Sequence, residues 1–106
     1  TCDGFAPIGP YLITSDELDP SNLAISCKVN GEIRQVSNTN QLIFDCATIV
    51  SYASQYMTLK PGDLIFTGTP AGVMLGYPEG KQQWLKSGDE VAVTIEKIGT
   101  LFNIFS

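Results

Sequence analysis

Histidine is absent from all 106 residues. A Ser-His-Asp triad, a Cys-His dyad and a His-ligated metal site are therefore impossible within this chain. Cysteine is scarce: Cys2, Cys27 and Cys46 are odd in number and far apart, which excludes a disulfide framework and a zinc knuckle. They read as reduced, partly buried thiols of a reducing compartment, and a cytoplasmic protein is expected. Basic residues are also few, 6 against 11 acidic for a net charge of −5, and form no cluster. That balance argues against holding nucleic acid or an anionic membrane by bulk electrostatics. No apolar run approaches the roughly 18 residues that span a bilayer, and no signal-peptide pattern is present.

What is present suits one domain. Hydrophobic residues make up 43% and charged residues 16% of the chain, a globular balance with a modest core. The chain opens at Thr1 without a Met and is expected to be a piece of something longer.

In chain order, residues 1–10 are irregular, since Gly4, Pro7, Gly9 and Pro10 interrupt both helix and strand. Asp3, the only charge there, either caps a turn or faces a ligand. Tyr11 to Thr14 reads as a short strand, and the acidic group Asp16, Glu17 and Asp19 as a solvated loop, because it lacks the glycine and spacing of a calcium loop. Leu23, Ile25, Cys27 and Val29 alternate with Ala24, Ser26 and Lys28, as in a strand with one buried face. Asn30-Gly31 supplies a two-residue hairpin turn, and Glu32 to Val36 returns. Ser37 to Asn40 offer N-caps to an amphipathic helix over about 41–57, whose stripe Ile43, Cys46, Val50, Ala53 and Met57 is expected in the core.

Pro61-Gly62-Asp63 predicts a turn, Leu64 to Phe66 a buried strand, and Thr67-Gly68-Thr69-Pro70 an exposed loop. Gly68 and Gly72 let a bound group approach the main chain, while Thr67 and Thr69 offer hydroxyls. A strand end followed by a plain turn accounts for the same residues. The connection Val73 to Ser87, which carries Trp84, is long enough to cover a site or a partner surface. Leu85-Lys86-Ser87-Gly88-Asp89 then echoes Leu59-Lys60-Pro61-Gly62-Asp63, so each Gly-Asp pair predicts a tight turn. Val91, Val93 and Ile95 alternate as a strand, and Gly99 turns the chain into a last strand over Leu101 to Phe105. The class is α+β, mostly β, with a rolled or sandwich-like sheet and one main helix.

Four stretches in register resemble the fumarylacetoacetate hydrolase family: residues 2–10, Val29-Asn30-Gly31 followed by Gln35, residues 61–73, and Gly88-Asp89-Glu90-Val91 with Ile98-Gly99-Thr100-Leu101. The resemblance is to the C-terminal part of that family's catalytic domain, and its bacterial catechol-degradation members look closest. It implies a mixed β-sandwich roll, usually in a homodimer. It also implies a magnesium ion, or manganese or calcium, held by a Glu-x-Glu pair and an Asp. Members hydrolyse, decarboxylate or isomerise small 2-oxo (β-diketo or enol) acids, the ion stabilising enolate-like charge.

No Glu-x-Glu occurs here: Glu17, Glu32, Glu79, Glu90 and Glu96 stand apart. The family places that pair, the third carboxylate, a catalytic Lys and a His-Glu dyad upstream of Thr1. The resemblance therefore assigns no metal ligand and no catalytic residue to this chain. It carries over Thr69 as the substrate-contacting threonine, Gly68 and Pro70 as shapers of its loop, and Asp3 and Phe5 as neighbours of the upstream Lys. The chain alone is expected to be inactive and to need the N-terminal part of the domain as its partner. A non-catalytic structural or partner-binding module of the same fold is the alternative.

Overall fold

A computed structural model describes residues 4–106, so the readings placed on Cys2 and Asp3 lie outside the described residues. Four strands form one antiparallel sheet in the order β2-β1-β3-β4. These are β1 (Ala24–Val29), β2 (Glu32–Asn38), β3 (Glu90–Ile95) and β4 (Gly99–Ile104). Both hairpins arise where the turn chemistry places them. Asn30 and Gly31 take φ of 51° and 80°, the left-handed pair that joins β1 to β2. Lys97 and Gly99, at 63° and 124°, join β3 to β4. The α+β class expected from the pattern is the one observed.

The register contains one interruption. Cys27 lies opposite Gln35 but Lys28 lies opposite Ile33, which leaves Arg34 as an extra residue on β2. This β-bulge resets the alternation, so Ile33 and Val36 share a sheet face although three positions separate them. The pairing adds Phe102 and Ile104 to that face, and all four side chains are exposed. Gln35 joins Cys27, Val29 and Val91 on the opposite face.

Leu23, just before β1, is the one apolar residue buried among those described, at 3% exposure. It is tied down by two contacts with Thr39: its N–H donates to Thr39 Oγ1 at 2.8 Å, and its carbonyl accepts from Thr39 N at 2.9 Å. At the same end of the sheet, on the β3 side, Ala24 N donates to Glu96 Oε2 at 3.0 Å while Ala24 O accepts from Glu96 N at 2.8 Å.

Four expectations need correction. The helix is α1 (Cys46–Ser54), shorter than the span 41–57. Asn38 spends its side chain on a single 3-10 turn, Thr39–Gln41, and Leu42 then becomes extended; α1 starts afresh at Asp45, which accepts from Thr48 N at 2.7 Å. Its stripe is not core within this chain, because Ile43, Cys46, Val50 and Met57 are exposed. Leu64 to Phe66 joins no ladder and is exposed, and Tyr11 to Thr14 forms no strand. Instead Tyr11 lies close over Gly99, where an added Cβ would meet its ring at 3.8 Å. Periodicity marks an apolar face but not what lies against it. Of the thiols, Cys27 is half-buried and Cys46 is exposed.

Candidate active site

The repeated Gly-Asp pattern folds into two copies of one turn. Lys60 N donates to Asp63 Oδ2 at 2.7 Å and Asp63 N donates back to Lys60 O at 3.0 Å; Lys86 and Asp89 make the same pair of bonds at 2.9 and 3.0 Å. Gly62 and Gly88, at φ of 94° and 89°, occupy the position of each turn that needs a positive value. The first turn delivers the chain to Thr67-Gly68-Thr69-Pro70.

That loop is fastened to β2. Gln35 Nε2 lies 2.8 Å from Thr69 Oγ1 and 2.8 Å from the carbonyl oxygen of Pro70. Gly72 holds the loop against the bulge: it has φ 107°, and a Cβ there would collide with the carbonyl oxygen of Arg34 and come within 3.1 Å of Gln35 Cγ. Only glycine meets both demands. Thr69 is exposed, Pro70 half-buried, and Gly68 exposed at φ 99°. These three positions are brought together by the loop itself. Phe5 stands 83% exposed, and neither it nor Gly68, Thr69 or Pro70 lines the cleft beside the loop or the shallow depression on α1.

Beside the loop lies a cleft of about 780 Å³, walled by Arg34, Gln35, Gly72, Gln83, Trp84 and Lys86. The connection from Val73 to Ser87 forms its outer side. It is braced by one 3-10 turn (Met74–Gly76), by Gln83 N donating to Met74 Sδ at 3.0 Å, and by Arg34 Nη2 donating to Gln83 Oε1 at 3.3 Å. Arg34 also pairs with Glu32 Oε2 at 3.0 Å. At the cleft's inner end Asp89 is 8% exposed and accepts from Asn30 Nδ2 at 3.0 Å. That bond, then the one from Lys86 N–H, holds the Asp89 carboxyl below the usual carboxylate range. Burial pushes the Cys27 thiol up, away from the reactive thiolate.

No group of three or more His, Cys, Asp or Glu that could hold a metal ion occurs among the described residues. These residues do not by themselves make a divalent-ion site, which needs several oxygen ligands. What they do offer is an exposed hydroxyl on a loop that Gln35, a residue of the cleft wall, fastens to β2.

The model of the fumarylacetoacetate (FAA) hydrolase C-terminal domain matches residues 1–105. The chain belongs to the fumarylacetoacetate hydrolase family. It is 50% identical over 104 residues to the mitochondrial oxaloacetate tautomerase Fahd2a of Rattus norvegicus, covering 97% of this chain and 33% of the relative. Its fold superposes on the fumarylacetoacetate hydrolase from psychrophilic Exiguobacterium antarcticum with a TM-score of 0.94 and 42% identity, covering 100% of this chain and 38% of that one. The fumarylpyruvate hydrolase of Pseudomonas aeruginosa, solved with Mn2+ and pyruvate, matches with a TM-score of 0.70 and 40% identity over 81% of this chain and 33% of that one. The chain thus spans about a third of the length of the family members it matches.

Sequence reasoning missed two members of the site. Gln35 was visible only as part of a family pattern, and Gly72 only as a permissive backbone position. The signal for both was the string Ile33-Arg34-Gln35-Val36. Two polar residues between two apolar ones break the period of two, as a bulge does.

Proposed function

We propose that this chain supplies the ligand-facing loop of a divalent-metal-dependent enzyme that acts on small 2-oxo acids, with keto–enol interconversion of an oxaloacetate-like acid as its reaction. The observation that carries this is the exposed Thr69 hydroxyl, fixed by Gln35 in a chain 50% identical to an oxaloacetate tautomerase. A Mn2+- and pyruvate-bound relative of the same fold supports the metal and the ligand class. When bound, the ion acts as a Lewis acid toward the 2-oxo group. Its ligands, and the group that moves the proton, belong to polypeptide outside these 106 residues. Thr69 binds and orients one end of the acid, Gly68 and Pro70 shape the loop, and Phe5 borders the site. A homodimer in a reducing compartment, the cytoplasm, completes the proposal.

The test is a screen of the full-length protein with Mg2+ or Mn2+ against oxaloacetate, acylpyruvates and ring-cleavage products. Metal-dependent interconversion of enol- and keto-oxaloacetate is the expected result. Preferential cleavage of a C–C bond in an acylpyruvate would move the assignment to hydrolysis, and loss of carboxylate to decarboxylation. A second reading, a non-catalytic partner-binding module, draws on the exposed apolar face of Ile33, Val36, Phe102 and Ile104. Inactivity of the full-length, metal-loaded protein on every acid would favour it.

A further inference from the structure

The bulge at Arg34 decides which side of the sheet Gln35 occupies. Counted from the turn, an uninterrupted β2 would set Gln35 opposite Ser26, on the face that carries Ile33. With the extra residue it pairs with Cys27 and reaches the loop on the other face. We propose that Gln35 is a positioning residue which fixes the Thr69 hydroxyl as a hydrogen-bond donor toward an acceptor group of the ligand. This deepens, and rests on, the functional reading above.

The argument is one of proton inventory. The Gln35 atom at 2.8 Å from the Pro70 carbonyl must be the amide nitrogen, because a carbonyl oxygen only accepts. The same nitrogen lies 2.8 Å from Thr69 Oγ1. An amide nitrogen offers hydrogens and no acceptor, so Thr69 accepts there. Its own hydrogen is turned away from Gln35, at an exposed position. With one lone pair taken by Gln35, the hydroxyl keeps its proton for a ligand, which suits a carboxylate or enolate oxygen. Gln35 touches no ligand in this scheme and acts through Thr69. It also holds Pro70, so the loop and the hydroxyl are oriented by one side chain.

The test uses the full-length, metal-loaded protein with oxaloacetate. Gln35→Ala and Thr69→Val are each expected to raise KM about tenfold, the worth of one hydrogen bond to a charged group, with kcat little changed. The double variant is expected to be no worse than the weaker single, since both remove the same interaction. Additive losses in KM, or an unchanged KM in Gln35→Ala alongside a lowered thermal midpoint, would overturn the proposal. If Gln35→Ala does not accumulate, the nearly isosteric Gln35→Glu replaces it. Its carboxylate accepts from Thr69 and turns the hydroxyl inward, so KM is expected to rise at least as far as in Thr69→Val; a KM equal to wild type refutes the role. Should the wild-type protein turn over no 2-oxo acid, the functional reading fails separately, and oxalate binding by calorimetry decides this one. Weaker binding by Gln35→Ala supports it, whereas equal affinity, or no binding by wild type, ends it.

Discussion

Asn30 and Asp89 lock the first hairpin turn to the second Gly-Asp turn across 59 residues of chain. Asn30 Nδ2 donates to Asp89 Oδ1 at 3.0 Å, Asn30 Oδ1 accepts from Glu90 N at 2.9 Å, and Asn30 N donates to Glu90 O at 2.8 Å. One residue thus closes its own turn and starts β3 beside β1. Because Asp89 also caps the Lys86 turn, its ionised carboxylate ties that turn to the hairpin turn at Asn30.

That arrangement predicts a pH dependence. The Asp89 carboxyl is held below its ordinary value by the Asn30 amide first and by the Lys86 N–H second. A group depressed on folding contributes stability above its unfolded value, about pH 4, and that contribution is lost as pH falls through the folded value. Asp89→Asn should be less stable than wild type at pH 7, with the gap closing below about pH 4. Denaturant melts at several pH values check this; a gap that stays constant to acid pH would contradict it.

Gly72 is the point of closest approach between the loop and the bulge. With φ 107° and the Arg34 carbonyl in the way, Gly72→Ala should cost about 1–3 kcal/mol and displace residues 67–71. Gly68→Ala, where a Cβ meets open space and only the φ of 99° is strained, should cost less. Comparing the two variants by denaturant midpoint separates steric contact from backbone strain, and equal losses would show that the Arg34 contact yields freely.

How far the molecule could be read from its residues follows from where the information lies. Asn30-Gly31 and the two Gly-Asp turns are local: a positive φ or a side chain reaching back three positions is encoded by the residues that make it. The alternation of Val91, Val93 and Ile95 is also local, and β3 forms there. The helix boundary was misjudged because Asn38 and Asp45 both look like caps, and only the extended Leu42 between them shows that each serves a different turn. The Leu64 to Phe66 run and the α1 stripe are expected to be buried on composition, yet burial needs a neighbour, and most of these side chains stay exposed. Thr69 could be singled out as a member of a loop. Its partner could not, since the Gln35 bond depends on a register shift on a different strand.

Substrate use and metal binding should separate at Thr69. In the full-length protein Thr69→Val removes a hydroxyl that faces the organic ligand, so KM for oxaloacetate should rise about tenfold. Affinity for Mn2+, followed by calorimetry on the same variant, should stay within about twofold of wild type. A large loss of metal would place the hydroxyl on the ion instead and would remove Thr69 from the role given to it here.

The exposed face of the sheet gives the last prediction. Ile33 and Val36 on β2 and Phe102 and Ile104 on β4 form an apolar surface that water leaves unfavourable at roughly 25 cal/mol per Å². The family members matched are about three times as long as this chain, and we propose that further polypeptide of the same domain covers this face. If so, Phe102 is a core residue of the full-length protein, and Phe102→Ala there should cost about 3–5 kcal/mol. A surface phenylalanine would cost within about 0.5 kcal/mol. Thermal and denaturant unfolding of the full-length variant distinguishes the two outcomes, and the smaller loss would mean that the face stays open in the intact protein.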